Sequence, residues 1–169
     1  MKKLAVIVCC CLTLFGCVHQ ERTPLKDTIA SYPQEVAVEE NCVVVEDHEF
    51  VHGEELWNNF FKKTNDGTYG EIRIVVYSTD YTISQTTPLH HTVIDLVFNG
   101  NTYEYKMVCD EWEDIEENKY QYLLKDYDNN QTIYYVDSER ESYLEGMTES
   151  FSSISEVVNS FKVLFKIKN

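Results

Sequence analysis

Apolar residues along this chain recur with two spacings, and each spacing predicts a different element. In residues 53–64, and again in residues 151–161, they recur every three to four positions, which places them on one side of an amphipathic helix. Glutamates begin and lysines end the first segment, as the helix dipole favours, and the Asn-Asp-Gly sequence of residues 65–67 predicts its end. A shorter helix is predicted over residues 33–41, because Pro33 suits the first helical position. The apolar positions are Leu56, Trp57, Phe60 and Phe61 in the first helix and Phe151, Ile154, Val157, Val158 and Phe161 in the second.

Strands are predicted where apolar and polar residues alternate or where β-branched residues run together. Asn99 and Gly100 offer the two left-handed positions of a type I′ turn and predict a hairpin around them. A second hairpin is predicted to turn through the Asp-Asn-Asn sequence of residues 128–130. The predicted strands and hairpins cover residues 42–45, 71–77, 92–109, 120–136 and 163–167. Together these elements predict an α+β domain in which two helices pack on one face of an antiparallel sheet of about five to six strands.

The first seventeen residues have the composition of an export signal. Two lysines precede an uncharged run over residues 4–15, which is shorter than the ~20 apolar residues of a transmembrane helix. The run ends in Leu-Phe-Gly-Cys, which resembles the lipobox of bacterial lipoproteins. This resemblance implies that residues 1–16 are a signal peptide and that Cys17 is acylated and anchors the protein to a membrane. The alternative is a secreted protein whose cysteine falls near the cleavage site by chance.

Composition divides the remaining chain into a tether and one domain. Residues 17–32 are mostly polar, carry Pro24 and show no periodic apolar pattern, so they are predicted to be the acylated cysteine followed by a flexible tether. Residues 33–169 contain no internal repeat and no second linker. Their number suits a single domain that buries roughly two thirds of its surface.

The charge of the chain limits the classes of partner. Without Lys2 and Lys3, twelve basic residues stand against twenty-nine acidic ones, a formal charge of −17. Nucleic acid is excluded as a partner, since phosphate binding needs a positive face. A basic protein or peptide fits this charge, whereas anionic lipid headgroups should repel the domain. Acidity that serves solubility alone is the alternative.

The first part of the predicted domain carries several short sequences in a recognisable order. They are residues 33–45, the Val-His-Gly of 51–53 before a helix with Leu56 and Phe60, residues 70–74 and 75–79, Pro88-Leu89, and the Ile-Asp-Leu of 94–96 leading to Asn99-Gly100. In this order and spacing, residues 33–110 are similar to an uncharacterised family of small bacterial surface lipoproteins. From Asp110 onward the chain departs from the family's pattern. The resemblance implies location and fold but no activity.

Three kinds of side-chain group have metal-ligand chemistry, and each has a competing explanation. Residues 126–137 resemble the start of a calcium loop, but Gln131 stands where that loop needs glycine and the flanks predict strands, so a polar hairpin is the alternative. The acidic run 110–117 has the composition of a solvated face. Zinc is disfavoured at both histidine pairs. His48 and His52 lie beside a predicted turn, where their spacing does not place them on one face. His90 and His91 are adjacent on a predicted strand, where side chains point to opposite faces. No metal or cofactor is predicted.

Recognisable enzyme motifs are absent from the sequence. It contains no Gly-x-Ser-x-Gly, no phosphate-binding glycine loop and no His-Glu-x-x-His, so no catalytic residue is predicted. Besides Cys17 the mature chain has Cys42 and Cys109, which export favours as a disulfide worth ~4 kcal/mol. Two buried thiols are the alternative, and acidic neighbours oppose a catalytic thiol.

The chain contains twelve tyrosines, many of them in pairs along predicted strands. Pairs such as Tyr103 with Tyr105 and Tyr120 with Tyr122 could form an aromatic binding face or serve as ordinary strand residues. The sequence predicts a membrane-anchored extracytoplasmic lipoprotein that acts as a non-enzymatic binding module with an acidic, tyrosine-bearing surface. The alternative is a hydrolytic or cation-dependent enzyme without a recognisable motif.

Overall fold

Two sheets and two α-helices form residues 22–78, 90–110, 114–139 and 161–169, which are the residues that the computed structural model describes. The α+β architecture confirms the predicted fold class. The strands are β1 (Val43–Glu46), β2 (Glu49–His52), β3 (Gly70–Ser78), β4 (His90–Phe98), β5 (Tyr103–Cys109), β6 (Glu116–Tyr120), β7 (Tyr122–Asp128), β8 (Gln131–Asp137) and β9 (Phe161–Lys168). The helices are α1 (Gln34–Glu39) and α2 (Glu54–Asn65), and a short 3-10 helix, Leu25–Thr28, precedes them.

The larger sheet has six strands in the order β2-β1-β3-β4-β5-β6. Neighbouring strands are antiparallel except β1 and β3, which are parallel. This exception arises because the chain crosses through α2 between β2 and β3, and parallel strands need such a crossover. The larger sheet has the predicted number of strands, and it differs from the predicted antiparallel sheet in its one parallel pair; the described residues also form a second sheet of three strands.

The smaller sheet has the order β7-β8-β9, and its hairpin has the predicted turn. Asn129 and Asn130 both have positive φ, 47° and 63°, which is the type I′ conformation. The β4–β5 hairpin differs from its prediction, because Gly100 has a φ of 100° whereas Asn99 is not left-handed. Instead, the loop has four residues, 99–102, between the paired Phe98 and Tyr103, and the Asn99 side chain accepts hydrogen bonds from the backbone N–H of Asn101 and Thr102.

One face of the larger sheet is covered by α2 and by the smaller sheet. The predicted apolar stripe of α2 points into this core, where Trp57 is completely buried. Its ring centroid lies 4.8 Å from that of Phe165 in β9 and 5.0 Å from that of Tyr134 in β8. The sheet residues that face this core include Val43, Val45, Ile72, Ile74, Ile94, Leu96, Tyr103, Tyr105 and Met107.

The opposite face of the larger sheet is covered by α1 and by residues 22–32, which we call the N-terminal segment. Thr28 is fully buried and Tyr32 is 3% exposed, and Leu25 and Ile29 pack against the same core. The sheet residues of this second core are Val44, Val75, Tyr77, Val93 and Val108. The prediction of a flexible tether reaching residue 32 is therefore wrong for residues 22–32, whereas residues 17–21 lie outside the described part of the chain.

The two described α-helices pack on opposite faces of the larger sheet, α1 on one and α2 on the other. The helix predicted over residues 151–161 falls outside the described residues except for Phe161, which begins β9. Among the described helices, none has the length and apolar composition that crossing a bilayer requires.

Candidate functional site

Carboxylates gather at the end of the larger sheet where β1 and β3 finish. Glu46, the last residue of β1, pairs with Tyr77 of β3, and the backbone N–H of Asp47 donates to the Tyr77 carbonyl at 3.2 Å. On the other side of Tyr77, His91 pairs with it from β4, and the N–H of Asp110 donates to the His91 carbonyl at 3.3 Å. We call this region the acidic end and define it by Glu35, Glu46, Asp47, Glu49 and Asp110.

A cavity of about 410 Å³ opens at the acidic end. We call it the end cavity. Its floor is formed by buried side chains, Tyr32, Tyr77 and His91, and its walls carry the carboxylates of Glu35 and Asp110. Burial, assisted by the Cys42 thiol and the carboxylates of Glu35 and Glu46, raises the pKa of Tyr77. The remaining lining residues are Ala30, Ser31, Pro33 and Gln34.

His90, His91 and Asp110 meet beside this cavity. The Nε2 of His91 lies 2.7 Å from the Thr28 carbonyl, and because a carbonyl only accepts, this nitrogen carries the proton. The His91 Nδ1 faces Asp110 Oδ2 at 3.8 Å, and the His90 Nδ1 lies 3.3 Å from the same oxygen. The sequence interpretation separated the two histidines because adjacent strand residues alternate, and it missed Asp110 as their common neighbour.

The other predicted histidine pair does not come together as a site. His52 Nδ1 donates to the Cys42 carbonyl at 2.9 Å, whereas His48 is exposed in the β1–β2 turn, where its φ is 72°. Within the described ranges, no three His, Cys, Asp or Glu side chains are arranged to hold a metal ion.

A second group of buried polar side chains lies on the same face of the sheet, nearer the start of β3. Arg73 is 4% exposed, and its Nε and Nη2 donate to the two carboxylate oxygens of Asp95 at 2.6 and 2.8 Å. The two residues are direct neighbours in the β3–β4 register, which explains the two-point pairing. The remaining donor, Nη1, binds the backbone carbonyl of Thr23 at 2.6 Å.

Glu40, at the end of α1, forms hydrogen bonds with Thr23, the residue whose carbonyl binds Arg73. Its carboxylate accepts hydrogen bonds from the backbone N–H of Thr23, at 3.0 and 3.1 Å, and from the Thr23 hydroxyl, at 2.5 Å. The Tyr32 hydroxyl donates to it at 2.6 Å, and Arg73 Nη1 lies 3.8 Å away. We call Glu40, Arg73 and Asp95 the clamp, because together they bind the N–H, the carbonyl and the hydroxyl of Thr23.

The clamp also sets the ionisation of Glu40. Burial raises the pKa of this carboxyl, but hydrogen bonds from Thr23 and Tyr32 and the nearby Arg73 charge outweigh it and hold the pKa below its usual range. Glu40 is therefore ionised in the folded protein at neutral pH, as its pairing with Arg73 requires. None of these partners is adjacent in sequence, since Thr23 binds residues 17 and 50 positions away.

Cys42 lies next to the clamp as a buried free thiol. The Tyr32 hydroxyl contacts its Sγ at 3.5 Å, and burial raises the pKa of the Cys42 thiol, which opposes nucleophilic reactivity. The alternative of a disulfide with Cys109 is wrong in this structure, where both thiols are free and buried. Cys42 precedes β1 and Cys109 ends β5, three strand spacings or about 14 Å apart, beyond the ~7 Å that a disulfide spans.

The calcium-loop hypothesis for residues 126–137 is also wrong. The segment forms the β7–β8 hairpin, in which Asp126 pairs with Ile133 and Asp137 pairs with Tyr122. Four strand residues, about 13 Å, therefore separate Asp126 from Asp137 along the hairpin. The competing interpretation, a polar hairpin turn, is confirmed.

The tyrosines lie mostly inside the domain. Tyr103, Tyr105 and Tyr120 are buried in the first core, where burial raises the pKa of Tyr120 to about 12. Among the described tyrosines, Tyr69 and Tyr127 are exposed, by 53% and 63%. Within the part of the chain that the structure describes, exposed tyrosines are thus limited to these two positions.

Comparison with known proteins adds no relative to this description. No known protein family, no curated protein and no solved structure matches the chain.

Proposed function

We propose that this protein is a lipid-anchored domain on the extracytoplasmic face of a bacterial membrane, and that its acidic end binds a basic peptide or protein. The Leu-Phe-Gly-Cys sequence ending at Cys17 supports the anchor. The end cavity supports the binding role, because two carboxylates stand over a buried aromatic floor in a chain with a large excess of acidic residues. A lysine or arginine side chain offers the charge and the apolar stem that such a cavity accommodates.

The geometry favours binding over acid–base catalysis. A general base needs a nitrogen or oxygen directed at the substrate. In the end cavity, His91 Nε2 donates to the Thr28 carbonyl, and its Nδ1 faces Asp110. The hydroxyl of Tyr77 donates to the Tyr32 carbonyl at 2.5 Å. These polar groups are directed at protein atoms, which leaves Glu35 and the Oδ1 of Asp110, whose Oδ2 faces the two histidines, as the groups that meet a ligand.

The anchor is tested by metabolic labelling of the protein in bacteria with an alkyne-bearing palmitate. The expected result is label on the wild-type protein in the membrane fraction and none on Cys17→Ser. Cys11→Ser, an equally small change within the predicted leader, should keep the label. Label that persists on Cys17→Ser, or wild-type protein that is free of membranes and unlabelled, would contradict the anchor.

Binding is tested by titrating the vesicle-bound protein with a short oligolysine peptide and with the same peptide fully acetylated on its side chains. The unmodified peptide should bind and the acetylated one should not. Changing Glu35→Gln together with Asp110→Asn should weaken binding about tenfold, equivalent to ~1.4 kcal/mol.

The control for this titration is Asp66→Asn together with Glu71→Gln, which removes two exposed carboxylates at the other end of the sheet, after α2 and at the start of β3. It should leave the affinity within about twofold, because charges beyond a Debye length of ~8 Å are largely screened at physiological salt. Equal losses in both variants would mean that net charge alone attracts the peptide. That outcome would exclude the end cavity as the binding site.

A further inference from the structure

The N-terminal segment enters the domain at a defined place beside the start of β3. Arg22 lines a cavity of about 240 Å³ together with Lys63 of α2 and Gly70 of β3. The next residue, Thr23, is held by the clamp. The point at which the described chain begins is therefore fixed to the end of the sheet where α2 finishes and β3 starts.

The register of the sheet explains why the chain enters there. Val43, the first residue of β1, pairs with Ile74, so β3 residues 70–73 extend beyond the start of β1. Asn41, which precedes β1, and Arg22 line the cavity beside this overhang. The overhang thus gives the N-terminal segment access to Arg73 at a position where β1 does not cover β3.

The distance from the anchor to this point is short. If Cys17 is acylated, as proposed above, only residues 18–22 lie between the lipid and Thr23. The six residue steps from Cys17 to Thr23 span at most about 22 Å when fully extended. The lipid-bearing end of the chain must therefore lie close to the surface around Arg22, Lys63 and Gly70.

The acidic end lies away from the anchor. Arg22, Lys62 and Lys63 lie around the entry point among the exposed carboxylates of Glu39, Glu54, Glu55, Asp66 and Glu71, so the short chain to the anchor, and not the net charge of this end, places it at the membrane. Anionic headgroups repel the acidic end. The nine residues of β3 separate the two ends by about 26 Å.

We propose that the clamp orients the domain on its membrane, holding the surface around Arg22, Lys62 and Lys63 next to the lipid headgroups and directing the acidic end away from them. This inference rests on the lipid anchor of the proposed function. The partner of this surface is the bilayer itself. A clamped segment, unlike a flexible tether, would present the end cavity outward to partners.

The orientation is tested with lipid-modified protein purified from membranes and returned to vesicles of phosphatidylcholine and phosphatidylglycerol. One variant carries a fluorophore at Asn65→Cys, at the end of α2, and a matched one carries it at Ser78→Cys, at the far end of β3. Both positions are exposed, whereas Cys42 and Cys109 are buried and thus protected from the label. A spin label on the lipid headgroup should quench the fluorophore at position 65 severalfold more than the one at position 78.

Two changes should abolish this difference. Glu40→Gln removes the charge that binds Thr23, and a Gly-Ser insertion after residue 18 lengthens the chain while leaving the clamp intact. Trp57 fluorescence reports whether each variant is folded, and the insertion remains informative if Glu40→Gln unfolds. Both should bring the two quenching values close to equality.

The outcomes separate this inference from the proposed function. In one outcome, the protein with an unaltered clamp floats with the vesicles, but quenching is equal at the two positions or stronger at position 78. That result would overturn the proposed orientation and leave the lipid anchor supported. Protein that carries no lipid and fails to float would overturn the anchor and the orientation together. Unequal quenching that persists in a folded Glu40→Gln protein would show that the clamp does not set the orientation, and unequal quenching that persists after the insertion would show that the short chain to the anchor does not; either result would overturn this proposal.

Discussion

On one face of the larger sheet, Trp57 lies among the rings of Phe60, Tyr134 and Phe165, whereas on the other face Arg73 is buried with its charge intact. The first face is closed by α2 and the smaller sheet through apolar contact. The second is closed partly by apolar contact and partly by the clamp, which binds the backbone of Thr23.

The difference shows how a short polar segment is fixed to a sheet. Apolar contact stabilises roughly in proportion to the buried area and is not directional. Hydrogen bonds from a buried ion pair to one residue's N–H and carbonyl fix both position and direction. The first face therefore accounts for most of the stability, and the second for where the chain leaves the domain.

The largest effect is expected from Trp57→Ala. This change removes the largest ring of the first core and should lower the free energy of unfolding by ~3–5 kcal/mol, measured by urea denaturation. Val51→Ala is the control, because Val51 is 47% exposed, and it should change stability by less than ~0.5 kcal/mol. A loss below ~1 kcal/mol for Trp57→Ala would contradict the account of this face.

A smaller loss is expected on the second face from Asp95→Ala. The change leaves the buried Arg73 guanidinium without its two-point partner and should cost ~2–3 kcal/mol in the same urea experiment. Glu104→Ala provides the comparison, since the Glu104–Lys119 pair is exposed and screened by solvent, so its loss should have a much smaller effect. Equal effects of the two substitutions would mean that burial of the clamp has no energetic consequence.

Acid should loosen the second face before the first. The pKa of Glu40 lies below 4.5 in the folded protein, so the unfolded chain takes up this proton first as the pH falls. The contribution of Glu40 is therefore complete above about pH 4.5 and is lost as the pH falls through the folded pKa. Thermal unfolding of the wild type between pH 7 and pH 3 should show this loss, and Glu40→Gln should reduce the slope. An unchanged slope would exclude Glu40 as a source of acid sensitivity.

The smallest effect is expected from Thr23→Ala, which removes one hydroxyl from the clamp. Losing its hydrogen bond to Glu40 should cost ~1 kcal/mol. Thr68→Ala, at an exposed position, should be neutral. A Thr23→Ala protein as stable as the wild type would show that the hydroxyl contributes nothing beyond the backbone contacts.

Elements with a regular pattern could be predicted from the sequence. Helix α2 and strand β3 have the apolar spacing of their class and fell within one residue of their predicted bounds. Strands β2 and β6 were not predicted, because they are short and mostly polar.

The N-terminal segment has a helical spacing of residues that the prediction of a flexible tether does not take into account. Leu25, Thr28, Ile29 and Tyr32 have helical spacing and all contact the second core or lie buried, but Thr28 is polar and interrupts the apolar pattern. The clamp offered no local signal, because Arg73 and Asp95 become neighbours only through the β3–β4 register, 22 residues apart. The end cavity has the same origin, since it collects side chains from α1, β3 and the end of β5.

The most direct test of the account is native-state hydrogen exchange at the Thr23 and Asp27 amides of the lipid-modified protein. We predict that both exchange slowly, because the Thr23 N–H is bound by Glu40 and the Asp27 N–H donates to the Pro24 carbonyl at 2.8 Å. Glu40→Gln should speed exchange at Thr23 while leaving the β3 amides protected. Exchange of both amides in the wild type at the rate of an unstructured peptide would contradict the claim that this segment is part of the folded domain.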